Sequence, residues 1–169
     1  LSCPVGFKNG TSGDVKIALD AVKSASNPHH FLAVTKIGEC AIAETTGNED
    51  CHVILRGGAA PNYDAASVAA ACAKAEASGV APVVMIDASH ANSGKNPDNQ
   101  PAVIDDIAQQ IKGGDSRIFG VMIESHLVGG RQDQKPGQAL TYGQSITDGC
   151  LEWEATVASL EALAAAVAT

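Results

Sequence analysis

Four chemically costly side chains stand at the ends of successive apolar runs. Lys8 closes Val5-Gly6-Phe7, Arg56 closes Val53-Ile54-Leu55, His90 follows Val84-Met85-Ile86-Asp87 by three residues, and Glu124 closes Phe119-Gly120-Val121-Met122-Ile123. A cation beside glycines, as in Arg56-Gly57-Gly58, suits a phosphate or carboxylate, because glycine lets the backbone come close and guanidinium offers a bidentate fork. Lys8 would add a second positive charge to such an anion pocket. An imidazole with carboxylates is a donor set for a divalent cation, and His90, Glu124 and Asp148 supply it. Glu124 stands out because a carboxylate after so apolar a run is partly desolvated unless it is paired or binds a metal.

Each residue also has a plainer reading. Lys8 alone reads as a solvated loop lysine, Arg56 as the partner of a nearby carboxylate, and His90 equally as a structural loop histidine. Asp148 alone reads first as the N-cap of the last helix. His126 shares the side of Glu124 on an extended strand but falls where a loop is expected. His29, His30 and His52 have no ligand spacing and read as structural or surface residues.

The elements that must position these side chains are β-branched runs alternating with Ala-rich stretches of helical period, the pattern of parallel strands joined by crossover helices. About four such units are expected. Strands are predicted over residues 4–9, 51–56, 81–87 and 117–124, and helices over 13–24, 64–77, 101–112 and 152–168. Val15, Leu19 and Val22 share one face of the first helix, Asp64 is placed to cap the second, and Gly113-Gly114 to stop the third. Residues 31–45, two β-like runs around Ile37-Gly38-Glu39, read as an inserted β-hairpin. In parallel α/β folds the loops leaving the C-terminal strand ends meet on one face, so four strands would aim Lys8, Arg56, His90 and Glu124 at one region. The loops at 57–62, 93–99 and 129–143 carry the composition expected of that face.

Length and composition set the class. The 169 residues, 45% of them apolar, suffice for one buried core and are read as a single partial domain over residues 1–169. A net charge of −8 with a pI near 4.9, and no basic run, repels a phosphate backbone and speaks against nucleic acid as a partner. No apolar run reaches the roughly 18 residues of a membrane span. Five cysteines without CxxC spacing argue against a disulfide framework, and a reducing, cytoplasmic setting is expected. The chain opens on Leu1 rather than Met, so a start upstream is expected.

Several segments together resemble the type I, microbial and feedback-regulated 3-deoxy-D-arabino-heptulosonate-7-phosphate (DAHP) synthases. They are Ser2-Cys3-Pro4-Val5-Gly6-Phe7-Lys8-Asn9-Gly10-Thr11, Cys51-His52-Val53-Ile54-Leu55-Arg56-Gly57-Gly58, Asp87-Ala88-Ser89-His90-Ala91-Asn92-Ser93, Met122-Ile123-Glu124-Ser125-His126-Leu127 and Tyr142-Gly143-Gln144-Ser145-Ile146-Thr147-Asp148. The resemblance runs through nearly the whole chain in the family's order, including Val34-Thr35-Lys36-Ile37-Gly38. It implies the C-terminal half of a (β/α)8 TIM barrel that condenses phosphoenolpyruvate with erythrose 4-phosphate, the first step of the shikimate pathway. It further implies Lys8 and Arg56 on the phosphate and carboxylate of phosphoenolpyruvate, with Lys8 as a candidate catalytic residue, and His90, Glu124 and Asp148 on one divalent metal ion. With the family's cysteine as fourth ligand that site would accept Mn, Fe, Co or Zn.

The cysteine, the Lys-Pro-Arg-Thr segment for erythrose 4-phosphate and a further phosphate-binding Arg are absent and would lie upstream, in a missing N-terminal half. The resemblance also implies a homo-oligomer and an aromatic amino acid inhibitor pocket near Ser2 and the hairpin, lined by Phe31 and Ala43; ordinary packing is the alternative for Phe31. Ala88 stands where the family commonly has an aromatic, and Gly129-Gly130-Arg131-Gln132 replaces a segment that usually carries Glu. Two other readings remain open: a non-catalytic half barrel that binds an effector or assembles, and a different metal-dependent phosphosugar aldolase.

Overall fold

A computed structural model describes residues 3–168. In chain order its elements are β1 (Val5–Lys8), α1 (Lys16–Ala25), β2 (His29–Val34), β3 (Cys40–Thr45), β4 (Cys51–Leu55), α2 (Ala65–Ala77), β5 (Val84–Asp87), α3 (Gln100–Lys112), β6 (Ile118–Met122), β7 (Val128–Arg131), β8 (Gln144–Ser145) and α4 (Trp153–Val167). The strands β1, β4, β5 and β6 form a parallel sheet in that order. The expected βα units are therefore present, and β2 pairs antiparallel with β3 as the inserted hairpin.

Local chemistry explains the boundaries. The Asp64 carboxylate accepts from Ala66 N and Ser67 N at the start of α2, and the Ser67 hydroxyl, then these amides, hold its pKa below the ordinary carboxylate range. Helix α1 begins at Lys16 rather than residue 13, because Gly13 has φ +92 and closes a turn onto Gly10 O. Strand β5 starts at Val84 rather than 81: Pro82 has no N–H for the ladder, and Val83 N turns back to Ala81 O. Helix α3 stops at Gly113, and Gly114 takes φ +93. The N-cap of α4 is Glu152, so the reading of Asp148 as that cap is corrected.

The register assigns the two faces of the sheet. Lys8 is level with Ile54, Ile54 with Met85, and Asp87 with Met122. Successive strand residues point to opposite faces, so Phe7, Val53, Leu55, Val84 and Ile86 belong to one side. They pack with Leu19 and Val22 of α1, Val68 and Cys72 of α2, and Ile104 and Ile107 of α3 into one core. Gly6, Lys8, Ile54, Met85, Asp87 and Gly120 take the other side. A Cβ on Gly6 would run into Ile54 Cδ1, which explains the glycine. The helices thus cover one face and leave the other to the polar side chains at the strand ends.

Among the described residues no helix is long and apolar enough to cross a membrane. All five cysteines are free.

Candidate active site

The C-terminal ends of the parallel strands carry the expected side chains, and the loops beyond them are tied together by asparagines. Asn9, after β1, donates to Gly57 O at 2.9 Å and accepts from Arg56 N at 2.8 Å. Asn62 accepts from Gly57 N at 2.7 Å, and its own N–H donates to Asn92 Oδ1 at 2.9 Å. The Asn92 amide donates to Leu55 O at 3.1 Å and Asp87 O at 2.8 Å. Asn9 and Asn92 are buried, so these bonds satisfy loop backbone that water does not reach. The bonds lock the loop after β4 to the loop after β5. Gly57 is needed between them: it has φ +75, and a Cβ there would lie 2.8 Å from Ala91 and Asn92 backbone atoms.

Replacing Asn92 with Ala strands three backbone groups at once. A loss of about 3 kcal/mol in unfolding free energy is expected, from roughly 1–3 kcal/mol for each orphaned group with incomplete additivity. Urea unfolding measures it, and a change below about 1 kcal/mol would show that water replaces the amide without penalty.

Arg56, Ser89, His90, Lys95, Glu124, Asp148 and Gly149 line a single cavity of about 230 Å³. The donor atoms of His90, Glu124 and Asp148 all lie within 4.8 Å of one another. His90 Nε2 stands 3.8 Å from Glu124 Oε1, and Ser89 Oγ donates to Glu124 Oε2 at 2.5 Å. Asp148 is exposed, whereas His90 and Glu124 are partly buried. Donors of this kind at this separation fit a divalent cation, and its charge would offset the two carboxylates that otherwise face each other across the cavity.

Glu124 is held from its backbone. Gln100, fully buried at the start of α3, donates to Glu124 O at 2.9 Å and accepts from Glu124 N at 2.9 Å. Leu151 N also donates to Glu124 O, at 2.8 Å. His90 sits at φ 49 and Lys95 at φ 62, with Lys95 N donating to His90 O at 2.7 Å. Two non-glycine residues in the left-handed region cost of order 1–3 kcal/mol each, and such strain collects at functional sites. Asp148 is carried by a segment anchored through the Gly130–Cys150 bridge and packed beside Pro97. Burial pushes the Cys150 thiol up, the nearby Glu124 and Asp148 charges add to the rise, and a hydrogen bond with Ser145 opposes it.

Lys8 does not line the cavity. Its ammonium lies 2.7 Å from Asp87 Oδ2, and the same oxygen is 2.8 Å from His90 Nδ1, so Lys8 stands one carboxylate away from the imidazole. His126 lies outside β6 and is exposed. His29 and His30 sit on the hairpin, bonded to Ser24 O and Glu44, and His52 meets the Phe119 ring edge-on at 4.8 Å. Ser2 lies outside the described residues. Phe31 and Ala43 are cross-strand partners in β2–β3, do not line the cavity, and Phe31 is 52% exposed.

Asp87, Ser89, Lys95, Gln100 and the asparagine trio were not singled out in the sequence. A signal existed for Asp87, since it ends an apolar run as Glu124 does. Gln100 and Asn92 gave none, because the backbone groups they hold, Glu124 for Gln100 and Leu55 and Asn62 for Asn92, lie 24 to 37 positions away.

The sequence profile of the DAHP synthetase I family matches residues 1–161. The phospho-2-dehydro-3-deoxyheptonate aldolase of Haemophilus influenzae is 56% identical over 168 residues, 99% of this chain and 46% of that protein. The Phe-sensitive enzyme of that name from Escherichia coli K12 is 55% identical over 167 residues, 99% of this chain and 48% of its own length. A solved structure of the Francisella tularensis SCHU S4 protein of the same name superposes with a TM-score of 0.92 at 54% identity, covering 99% of this chain and 49% of that one. The chain therefore spans about half the length of the curated relatives it matches. With the family profile running through the segments that bear Lys8, Arg56, His90, Glu124 and Asp148, this chain belongs to the DAHP synthetase I family.

Proposed function

We propose that the chain is the downstream half of a DAHP synthase, forming the C-terminal half of a (β/α)8 barrel as one partial domain with the hairpin inserted. In the assembled enzyme it condenses phosphoenolpyruvate with erythrose 4-phosphate in the first step of the shikimate pathway. The observation that carries this reading is the meeting of Arg56, His90, Glu124 and Asp148 on one cavity, with Lys8 reaching it through Asp87. The N-terminal half of the barrel would close the uncovered sheet face and complete the site.

Arg56 binds the phosphate or carboxylate of phosphoenolpyruvate through its guanidinium fork, and Lys8 adds the second positive charge. The loops fix phosphoenolpyruvate so that its C3 faces the aldehyde carbon of erythrose 4-phosphate. A C–C bond forms between these carbons, water adds at C2, and phosphate leaves by C–O cleavage to give DAHP. His90, Glu124 and Asp148 would hold one divalent ion, drawn from Mn, Fe, Co and Zn, and such an ion would supply Lewis-acid stabilisation of the charge that develops on the aldehyde oxygen.

An aromatic amino acid inhibitor is assigned to the hairpin, near Phe31 and Ala43; Ser2, the third residue expected there, lies outside the described residues. Support comes from an exposed aromatic facing a small residue across the strands, and from relatives named Phe-sensitive and tyrosine-inhibited. The exposed Leu32, Val34 and Ile42 on the opposite face of the hairpin favour a homo-oligomer. Free cysteines suit a cytoplasmic enzyme.

The test joins this chain to the N-terminal half of the Haemophilus influenzae relative and follows DAHP formation. Activity is expected, falling about 100-fold or more with EDTA and returning with Mn²⁺, from the several kcal/mol a metal supplies. DAHP formation indifferent to chelator would remove the metal from the reading. A folded assembly that makes no DAHP would sink the reading itself.

A further inference from the structure

Asp87 ends β5 with its side chain 0% exposed. A carboxylate so placed is stable only if it is paired, and every partner it has belongs to the site. Its Oδ2 lies 2.7 Å from Lys8 Nζ and 2.8 Å from His90 Nδ1. Its Oδ1 accepts from Ser89 N at 2.9 Å, and the Ser89 hydroxyl in turn donates to Glu124. The contest for Oδ2 is unequal. Lys8 makes a hydrogen bond, whereas His90 Nδ1, though close, is misaligned and is left buried without a hydrogen-bond partner.

We propose that Asp87 is a positioning residue whose Oδ2 serves both the ammonium of Lys8 and the imidazole of His90, and thereby couples binding of a phosphorylated carboxylic acid to binding of a divalent cation. The proposal rests on the function given above. His90 turns Nδ1 toward Asp87 and Nε2 toward Glu124, so Nε2 is the nitrogen free for an ion. An imidazole that donates Nδ1–H to a carboxylate is fixed in orientation and made a better ligand. An anion that draws the Lys8 ammonium away from Asp87 releases Oδ2 to accept that proton. The imidazole is then set for the ion, and by linkage each ligand raises the affinity of the other by the same factor.

The test uses the chain joined to the N-terminal half of the Haemophilus influenzae relative, with Mn²⁺ and phosphoenolpyruvate as probes. Free Mn²⁺ is read by electron paramagnetic resonance, and phosphoenolpyruvate binding by calorimetry. Wild type is expected to bind Mn²⁺ more tightly when phosphoenolpyruvate is present. Asp87→Asn keeps the shape and loses the charge: its Mn²⁺ affinity is expected to fall about tenfold or more, its phosphoenolpyruvate affinity without Mn²⁺ to rise because no carboxylate then holds the Lys8 ammonium, and the mutual enhancement to shrink. Ser89→Ala, which removes only the hydroxyl on Glu124, is expected to weaken Mn²⁺ while the factor by which phosphoenolpyruvate and Mn²⁺ enhance each other stays near the wild-type value. A merely structural Asp87 would lower the urea midpoint without moving the two affinities in opposite directions.

If Asp87→Asn does not fold, the wild-type chain still decides. With ¹⁵N-labelled histidine and Zn²⁺, His90 should take the ion at Nε2 and show a protonated, hydrogen-bonded Nδ1. Coordination through Nδ1, or undiminished coupling in a folded Asp87→Asn chain, overturns the role of Asp87. A folded wild-type joined protein that binds neither probe overturns the function on which it rests.

Discussion

Glu124→Gln is expected to lower kcat/KM for DAHP formation in the joined protein by about 10³-fold, corresponding to roughly 4 kcal/mol of transition-state stabilisation. Glutamine is nearly isosteric, and the backbone clamp from Gln100 to Glu124 does not involve the side chain. The fold should therefore survive while one of the two carboxylates proposed for the ion loses its charge. Ser89 would still donate to the remaining oxygen, so the loop after β5 stays in place. The loss should appear in kcat more than in the KM for phosphoenolpyruvate, and Mn²⁺ affinity should fall in parallel. A variant that keeps more than about a tenth of wild-type kcat/KM would show that Glu124 is not an ion ligand.

Arg56→Ala is expected to cost about 10²-fold in kcat/KM, carried by a raised KM for phosphoenolpyruvate. Truncating one member of a desolvated charge pair costs about 2–5 kcal/mol. Arg56 is partly buried at the cavity wall, and its backbone N–H is fixed by Asn9, so alanine removes the guanidinium without freeing the loop. Arg56→Lys should recover only part of the loss, because an ammonium is a point charge and cannot grip two anionic oxygens in a plane. Mn²⁺ affinity measured without phosphoenolpyruvate should change little. An unchanged KM in either variant would move the anion site away from β4.

These two substitutions probe what was readable from the chain. Apolar runs ending in Lys8, Arg56 and Glu124 marked strands and their functional ends together, because a charged group follows a buried strand only where something compensates it. Helix punctuation was equally local: Asp64 as a cap and Gly113-Gly114 as a stop act through neighbours a few residues away. Asp148 misled in the same local frame. It precedes a helical stretch as a cap would, yet Glu152 holds that position and Asp148 faces the cavity.

The sequence by itself determined the alternation of strands and helices, the hairpin, and the residue types that wait at the strand ends, since period, turn chemistry and desolvation all act over short stretches of chain. Tertiary structure decided the rest. Only the parallel register puts Lys8, Arg56, Asp87 and Glu124 on the face away from the helices, and only three-dimensional proximity lets Asp87 serve Lys8, 79 positions away, and Gln100 clamp Glu124, 24 positions away. Hydrogen bonds and ion pairs depend on distance in space, and separation along the chain places almost no limit on that distance once the sheet has formed.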